Sequence, residues 1–162
     1  MAEPRFQEWM TEMVRELLGI LGVDDMRIEV FPSREDEKET LTFFVTVDRR
    51  DSKMLIGQYG VALFSIQYLL QMIARRRFDE VPDFFVDINR YWKEKKAHLR
   101  RDAEDAAHEA VATGRPVSMR PMLSYERKVV HAVLSGSERV ETESIGKGEG
   151  RKVVVKPKAV FS

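Results

Sequence analysis

The sequence predicts an α+β protein built from two small units. Three observations predict it. An amphipathic stretch at the N-terminus runs into two segments of strand-like alternation. A glycine-bounded tetrapeptide, "GQYG", then separates two helical stretches. Finally, a long helix of small apolar residues leads into a short helix and two Val-rich or Thr-rich strands. The chain has 162 residues, of which 43% are hydrophobic, enough for one large domain or two small ones with real cores. The expected boundary lies at Ile88 to Asn89, giving units of residues 1–88 and 89–162.

In chain order, Phe6, Trp9, Met10, Met13, Val14, Leu17, Leu18 and Leu21 recur at helical spacing, and Gly22 suits a helix stop. "MRIEVF" alternates through Met26, Ile28 and Val30 and reads as a strand. "SREDEKE" reads as a polar turn or loop, and "TLTFFVTVD" as a second, antiparallel strand. A short turn of helix leads to Gly57. The long helix after Gly60 has the expected inner stripe Ala62, Ile66, Leu69, Leu70 and Ile73, and it stops in Arg75, Arg76 and Arg77, where cations suit the C-terminal dipole. "PDFFVDI" is a third strand. From Asn89 to Thr113 the pattern is helical, with Trp92, Leu99, Ala103, Ala106, Ala107 and Ala110 on one stripe, ended by Gly114 and Pro116. "VSM" is a short strand. "SYERKVVHAVL" is a helix capped by Ser124, with Tyr125, Val129, Ala132 and Val133 as its docking face. "ERVETES" and "RKVVVKP" are strands joined by the turn "GKGEG".

Composition excludes several functions. There is no Cys, so disulfides, thiolate chemistry and a Cys-based zinc site are impossible, and a reducing cytoplasm is the expected location. The most apolar stretch, Val61 to Ala74, has 14 residues and two Gln, too short to span a bilayer. No signal-peptide pattern opens the chain. His98 and His108 stand ten apart on one helix and do not share a face; no HExxH or nucleophile motif is present, and "GQYGVA" lacks the Gly-Lys-Ser/Thr of a phosphate-loop NTPase. No enzyme activity, metal or cofactor is expected.

The net charge is zero, but it is sorted along the chain. Residues 1–48 hold 5 basic and 12 acidic side chains, a net of −7, whereas residues 49–101 hold 12 and 6, a net of +6. Residues 102–114 hold four acidic and no basic side chains, and residues 115–162 hold 10 basic and 5 acidic, a net of +5. Two basic zones flank an acidic spacer, so a polyanion could be held at two places, although ordinary solvated faces fit the sorting as well.

Each zone contains a candidate site. In the first, Gly57 and Gly60 allow backbone to approach a ligand closely, and a helix begins directly after Gly60 with its free N–H groups turned to the loop. Leu55, Ile56, Val61 and Phe64 would form an apolar shelf for bases. Gly-x-x-Gly alone also fits a plain helix–helix turn. In the second, Arg127 and His131 stand four apart, about 40° around a helix, so a guanidinium and an imidazole share one side. Such a pair fits an anion or nucleotide site, and equally an ordinary polar helix surface.

The order helix, strand, strand, short helix, Gly-x-x-Gly, helix, strand resembles a type II KH domain: a three-stranded sheet with helices on one face, which clamps single-stranded nucleic acid with its glycine loop. The residues carrying the likeness are "LIGQYG", "SIQYLLQMI" and "FFVDINRYWKEKK". The loop departs from the usual pattern in having Gln58 and Tyr59 where a basic residue is common; Lys53, Arg49 and Arg50 lie nearby in sequence. The segment from "NRYWKEKK" through "SYERKVVH" to "RKVVVKP" resembles the small α+β domain named for an Arg-x-x-x-His signature, which Arg127 and His131 fill. Together the halves resemble the bacterial Jag family, also called SpoIIIJ-associated protein, KhpB or EloR. Members commonly carry an N-terminal Jag domain and linker ahead of the KH segment with which this chain begins. They often have Asn-Pro where this chain has Leu123-Ser124.

The resemblance implies a cytoplasmic, non-enzymatic binder of single-stranded RNA, with single-stranded DNA left open. It also implies roles in cell elongation and division, and pairing with another small KH protein. The implied contacts are Lys53, Gly57, Gln58, Tyr59 and Gly60 in the first unit, and Arg120, Arg127, Lys128, His131, Arg151 and Lys152 in the second. The rival reading is a protein-interaction adaptor in which nucleic-acid binding is secondary.

Overall fold

The structure is a computed structural model that describes residues 4–35 and 38–158. Its contacts divide the chain into two compact units, Met1–Trp92 and Lys93–Ser162.

The first unit opens with helix α1 (Pro4–Ile20), which buries Phe6, Met10, Val14 and Leu18. It ends where the sequence places a stop. Gly22 takes φ 86°, its N–H donates to the Gly19 carbonyl, and the Val23 N–H reaches back to Leu18. That double closure satisfies the carbonyls a helix end leaves open. Leu21, expected on the inner stripe, is exposed, because the chain has already left the helix there.

Strands β1 (Arg27–Glu35) and β2 (Lys38–Thr46) pair antiparallel along their whole lengths. The expected loop "SREDEKE" is therefore mostly strand: ladder pairing carries Ser33, Arg34 and Glu35 opposite Thr40, Glu39 and Lys38, overriding their polar composition. The centre of that expected loop, Asp36 and Glu37, lies outside the described residues. β3 (Phe84–Ile88) runs parallel to β2, giving the order β1-β2-β3. Alternation along β2 sends Leu41, Phe43 and Val45 into the core beside Phe84, Val86 and Ile88 of β3.

Helix α2 (Arg49–Ile56) is capped by Asp48, whose Oδ1 accepts the Asp51 N–H at 2.7 Å. Helix α3 (Val61–Arg77) buries Leu63, Ile66, Gln67, Leu70 and Ala74. Its inner face is thus rotated from the expected stripe, and Leu69 is exposed. Gln67 explains the rotation. Its Nε2 donates to the Phe84 carbonyl at 3.0 Å and its Oε1 accepts the Val86 N–H at 2.8 Å. A polar side chain thereby caps the outer edge of β3, which a sequence pattern counting only apolar residues does not reveal.

Helix α4 (Tyr91–Thr113) runs across the division between the units. Its expected single stripe serves two environments: Trp92 stacks on Phe85 in the first unit, whereas Leu99, Ala103, Ala106 and Ala110 belong to the second core. In the second unit, β4 (Val117–Pro121), β5 (Val140–Ile145) and β6 (Lys152–Pro157) form an antiparallel sheet in the order β4-β6-β5. Helix α5 (Ser124–Leu134) contributes Val130 and Leu134 to a core completed by Val140, Val153 and Val155. The docking face of α5 therefore differs from the expected one. Val129 and Val133 are only half-buried, Ala132 is exposed, and Glu126 is buried in line with Val130 and Leu134.

Ser124 does not cap α5. Leu123 is the N-cap residue, and the Glu126 carboxylate accepts its N–H at 2.7 Å. Glu126 is 1% exposed, and its other oxygen meets Lys95 at 3.0 Å and Arg120 at 3.2 Å. Burial pushes its carboxyl up, but the Leu123 N–H, Lys95 and Arg120 together outweigh that and hold it below the ordinary range.

Candidate nucleic-acid interface

The glycine tetrapeptide joins α2 to α3 through a single 3-10 turn, Gln58–Gly60. Gly57 takes φ 71°, Tyr59 φ 55° and Gly60 φ 84°. A Cβ on Gly57 would stand 2.7 Å from the Ala62 Cβ, so both the backbone angle and the close approach require glycine there. Gly60 is buried and forms the left-handed N-cap of α3 with no side-chain capping bond, so the first N–H groups of a 17-residue helix are left to this turn. Gln58 and Tyr59 are exposed, Tyr59 by 68%. Lys53 is exposed one helical turn earlier, its carbonyl accepting the Gly57 N–H at 3.0 Å. Lys53, Gly57, Gln58, Tyr59 and Gly60 thus gather at one corner of the first unit.

The expected apolar shelf beside this corner is only partly present. Leu55 is 1% exposed and belongs to the core, while Val61 and Phe64 are open by 48% and 43%. Helical geometry explains the split: Leu55 turns inward with Ser52, and Val61 and Phe64 lie on the side of α3 opposite Leu63, Ile66 and Leu70.

In the second unit, Arg127 and His131 stand together on α5, both half-buried. Arg127 Nη1 donates to the Met122 carbonyl at 2.9 Å. Its other guanidinium N–H groups have no protein acceptor among the described residues, and no carboxylate pairs with it there. It is an anchored cation with donors to spare, suited to a phosphate oxygen. His131 Nδ1 lies 2.6 Å from Thr142 Oγ1, and Nε2 lies 2.8 Å from Ser144 Oγ. Burial, and the Arg127 charge beside it, hold the imidazolium below its ordinary range. The ring is therefore neutral at neutral pH and braced between two β5 hydroxyls.

The remaining expected residues are placed unevenly. Arg120 on β4 is tied to Glu126 and to the Pro121 carbonyl. Arg151 is exposed just before β6, and its carbonyl accepts the Met122 N–H at 3.1 Å, which brings its backbone to the corner that holds Arg127. Lys128 is exposed beside Arg127. Lys152 pairs with Ile145, one step from the Val153–Ser144 pair, so it takes the sheet face opposite Ser144. Sequence reasoning missed Thr142, Ser144, Glu126 and Lys95. The first two had a readable signal: in "VETESI" the period of two places Val140, Thr142 and Ser144 on one face. Among the described residues no cluster of His, Asp or Glu could hold a metal ion, and no helix is long and apolar enough to cross a membrane.

Residues 97–157, which hold this second site, match the family model of the Arg-x-x-x-His domain. The chain is similar to the RNA-binding protein KhpB of Lactiplantibacillus plantarum, at 35% identity over 108 residues, covering 67% of this chain and 34% of the relative. It is similar to the RNA-binding protein KhpB of Clostridium symbiosum at 30% identity, covering 82% of this chain and 60% of the relative. For the protein of that name in Bacillus subtilis the identity is 29%, covering 86% and 64%. The chain thus spans less than two thirds of the length of these relatives. The matches support the Jag/KhpB family that the sequence resembles.

Proposed function

We propose that this chain is a bacterial single-stranded RNA-binding protein of the Jag/KhpB type, without catalytic activity, acting in the cytoplasm. Its first domain is a type II KH domain that takes RNA backbone at Gly57, Gln58, Tyr59 and Gly60, with Lys53 beside them. Its second takes RNA at the side of α5 that carries Arg127 and His131, with Lys128 and Arg151 adding positive charge. Arg120 and Lys152 act less directly, the first through Glu126 and the second from the other sheet face. A role in regulating cell elongation and division follows from the family reading. The observation that carries the proposal is Arg127: a half-buried guanidinium, held by one carbonyl, without an acidic partner among the described residues. Its spare donors, held in place by that carbonyl, can take a phosphate oxygen with charge-assisted hydrogen bonds.

Fluorescence anisotropy with a labelled, mixed-sequence RNA of about 20 nucleotides tests this. Log affinity should fall with log salt by roughly 0.7 per phosphate contacted. Arg127→Ala should weaken binding in the second unit and Gly60→Asp in the first, the latter by placing a carboxylate against the helix N-terminus. Absence of binding at low salt would refute the reading. Competition with unlabelled single-stranded DNA decides between the two nucleic acids, since a 2′-hydroxyl contact favours RNA.

One observation favours the adaptor reading as an addition. From Val61 to Ala74, α3 has no charged residue, and its outward side exposes Val61, Phe64, Tyr68 and Met72. A surface helix normally carries charge on that side. This apolar face suits a protein partner such as another small KH protein. Binding there would persist as salt rises, unlike phosphate-led binding.

A further inference from the structure

We infer that Thr142 and Ser144 of β5 are themselves contacts for nucleic-acid phosphate, and that His131 is a positioning residue acting through their hydroxyls. This rests on the single-strand reading of the second unit given above.

The argument begins with hydrogen counting. Both His131 nitrogens are occupied, at 2.6 Å by Thr142 Oγ1 and at 2.8 Å by Ser144 Oγ. A neutral imidazole has one N–H and one bare nitrogen. Whichever tautomer is present, one hydroxyl must accept from the ring and the other must donate to it. The accepting hydroxyl keeps its own O–H free. Neither hydroxyl has a second protein partner among the described residues, and both side chains are half-buried rather than sealed. One O–H is therefore directed away from the ring. The ring itself has no in-plane nitrogen left for a phosphate.

Protonation changes the count. An imidazolium donates from both nitrogens, so both hydroxyls accept and both O–H groups are released outward. The site then gains a donor and a positive charge together. The charges facing the ring are few. Arg127 lies on its own helix. On β5, Glu141 and Glu143 alternate to the other face, where Glu143 pairs with Lys156. On β6, Val153 and Val155 stand opposite Ser144 and Thr142, while Lys152 and Lys156 point the other way. With only Arg127 beside it, the ring resists protonation until an anion arrives. Phosphate binding and proton uptake therefore favour each other.

The test uses the full chain and the same labelled RNA. Thr142→Val with Ser144→Ala should weaken binding about fivefold, the loss of roughly one net hydrogen bond. Adding His131→Ala to that pair should change affinity less than about twofold, because the ring acts through groups already removed. The swap Thr142→Ser with Ser144→Thr keeps both hydroxyls and should bind like the unaltered chain, which separates lost hydroxyls from lost packing. Affinity of the unaltered chain should rise as pH falls from about 7.5 to about 5.5, beyond any rise in the hydroxyl-less pair. Unchanged affinity in that pair, with Arg127→Ala still weakening binding, overturns the inference and leaves the RNA-binding reading standing. A full additional loss from His131→Ala assigns the contact to the ring and also overturns it. No binding by the unaltered chain removes both readings.

Discussion

Replacing Glu126 with Ala tests how the second unit is held together. The carboxylate is 1% exposed and has three partners: the Leu123 N–H at 2.7 Å, Lys95 at 3.0 Å and Arg120 at 3.2 Å. The Arg120 side chain is 47% exposed and water can replace its partner, so that contact counts for little. Lys95 is 17% exposed, so its contact to the carboxylate is little screened by water. The Leu123 N–H is a helix cap, worth about 1 kcal/mol, and losing a charged hydrogen bond to Lys95 adds about 2 to 3 kcal/mol. The sum, about 3 to 4 kcal/mol, should lower the melting temperature of a unit this size by roughly 12 °C or more. Calorimetry on the full chain reads this, together with amide exchange of the α5 and β6 peptides. Tryptophan fluorescence serves as the contrast, because both tryptophans, Trp9 and Trp92, lie in the first unit. Glu126→Gln should cost less, since an amide oxygen can still accept the Leu123 N–H. The sign with pH also follows. A carboxyl held below its ordinary range contributes stability above about pH 4.3, lost as pH falls through its lowered folded value. A Glu126→Ala protein melting within about 1 °C of the original would refute the reasoning, because neither the cap nor the charged hydrogen bond would then carry stability.

Gly57→Ala should cost about 1 to 3 kcal/mol in the first unit and distort the tetrapeptide, because its Cβ would stand 2.7 Å from Ala62 at φ 71°; chemical denaturation and RNA anisotropy check the two effects. Gln67→Leu should cost about 2 to 3 kcal/mol by leaving the Phe84 carbonyl and Val86 N–H unpaired, measured by urea unfolding of the same unit. His131 has a lowered folded value, so protons favour the unfolded state. Its contribution is complete above about pH 6.5 and lost as pH falls toward the folded value, and His131→Gln should flatten that part of the melting-temperature profile.

Much of the fold was legible because it depends on properties that residues carry with them. Gly22 ends α1 and Gly114 ends α4 through left-handed angles that glycine adopts freely. The Thr, Val and Phe of "TLTFFVTV" and the valines of "RKVVVKP" mark strands wherever they sit. What stayed illegible depends on partners distant in sequence. Gln67 reads as a polar interruption of α3 until β3 is laid beside it. Glu126 reads as a solvated first-turn acid until Lys95 and Arg120 arrive. "SREDEKE" reads as a loop because composition carries no information about a hairpin ladder. The same limit applies at the candidate sites. Spacing put Arg127 and His131 on one helix side but fitted an ordinary polar surface as well, and the family resemblance singled them out; the hydroxyls that occupy the imidazole come from another strand, and only the pairing of the sheet brings them there.

The buried carboxylate and the half-buried guanidinium are not independent features. Glu126 fixes the Leu123 N–H, and the preceding residue, Met122, presents its carbonyl to Arg127 Nη1 at 2.9 Å. The Met122 N–H is in turn held by the Arg151 carbonyl. The Met122-Leu123 corner is therefore pinned from the core by Glu126 and from β6 by Arg151, and it sets where the Arg127 guanidinium stands. A flexible arginine loses side-chain entropy when it engages a phosphate, and a pre-formed bond to the backbone removes part of that cost beforehand. Glu126→Ala, which removes that acceptor, should consequently loosen the corner and weaken RNA binding at Arg127 even under conditions where the unit stays folded. Arg127→Lys should fail to restore it, since a lysine ammonium lacks the planar fork that can hold the Met122 carbonyl and a phosphate at once.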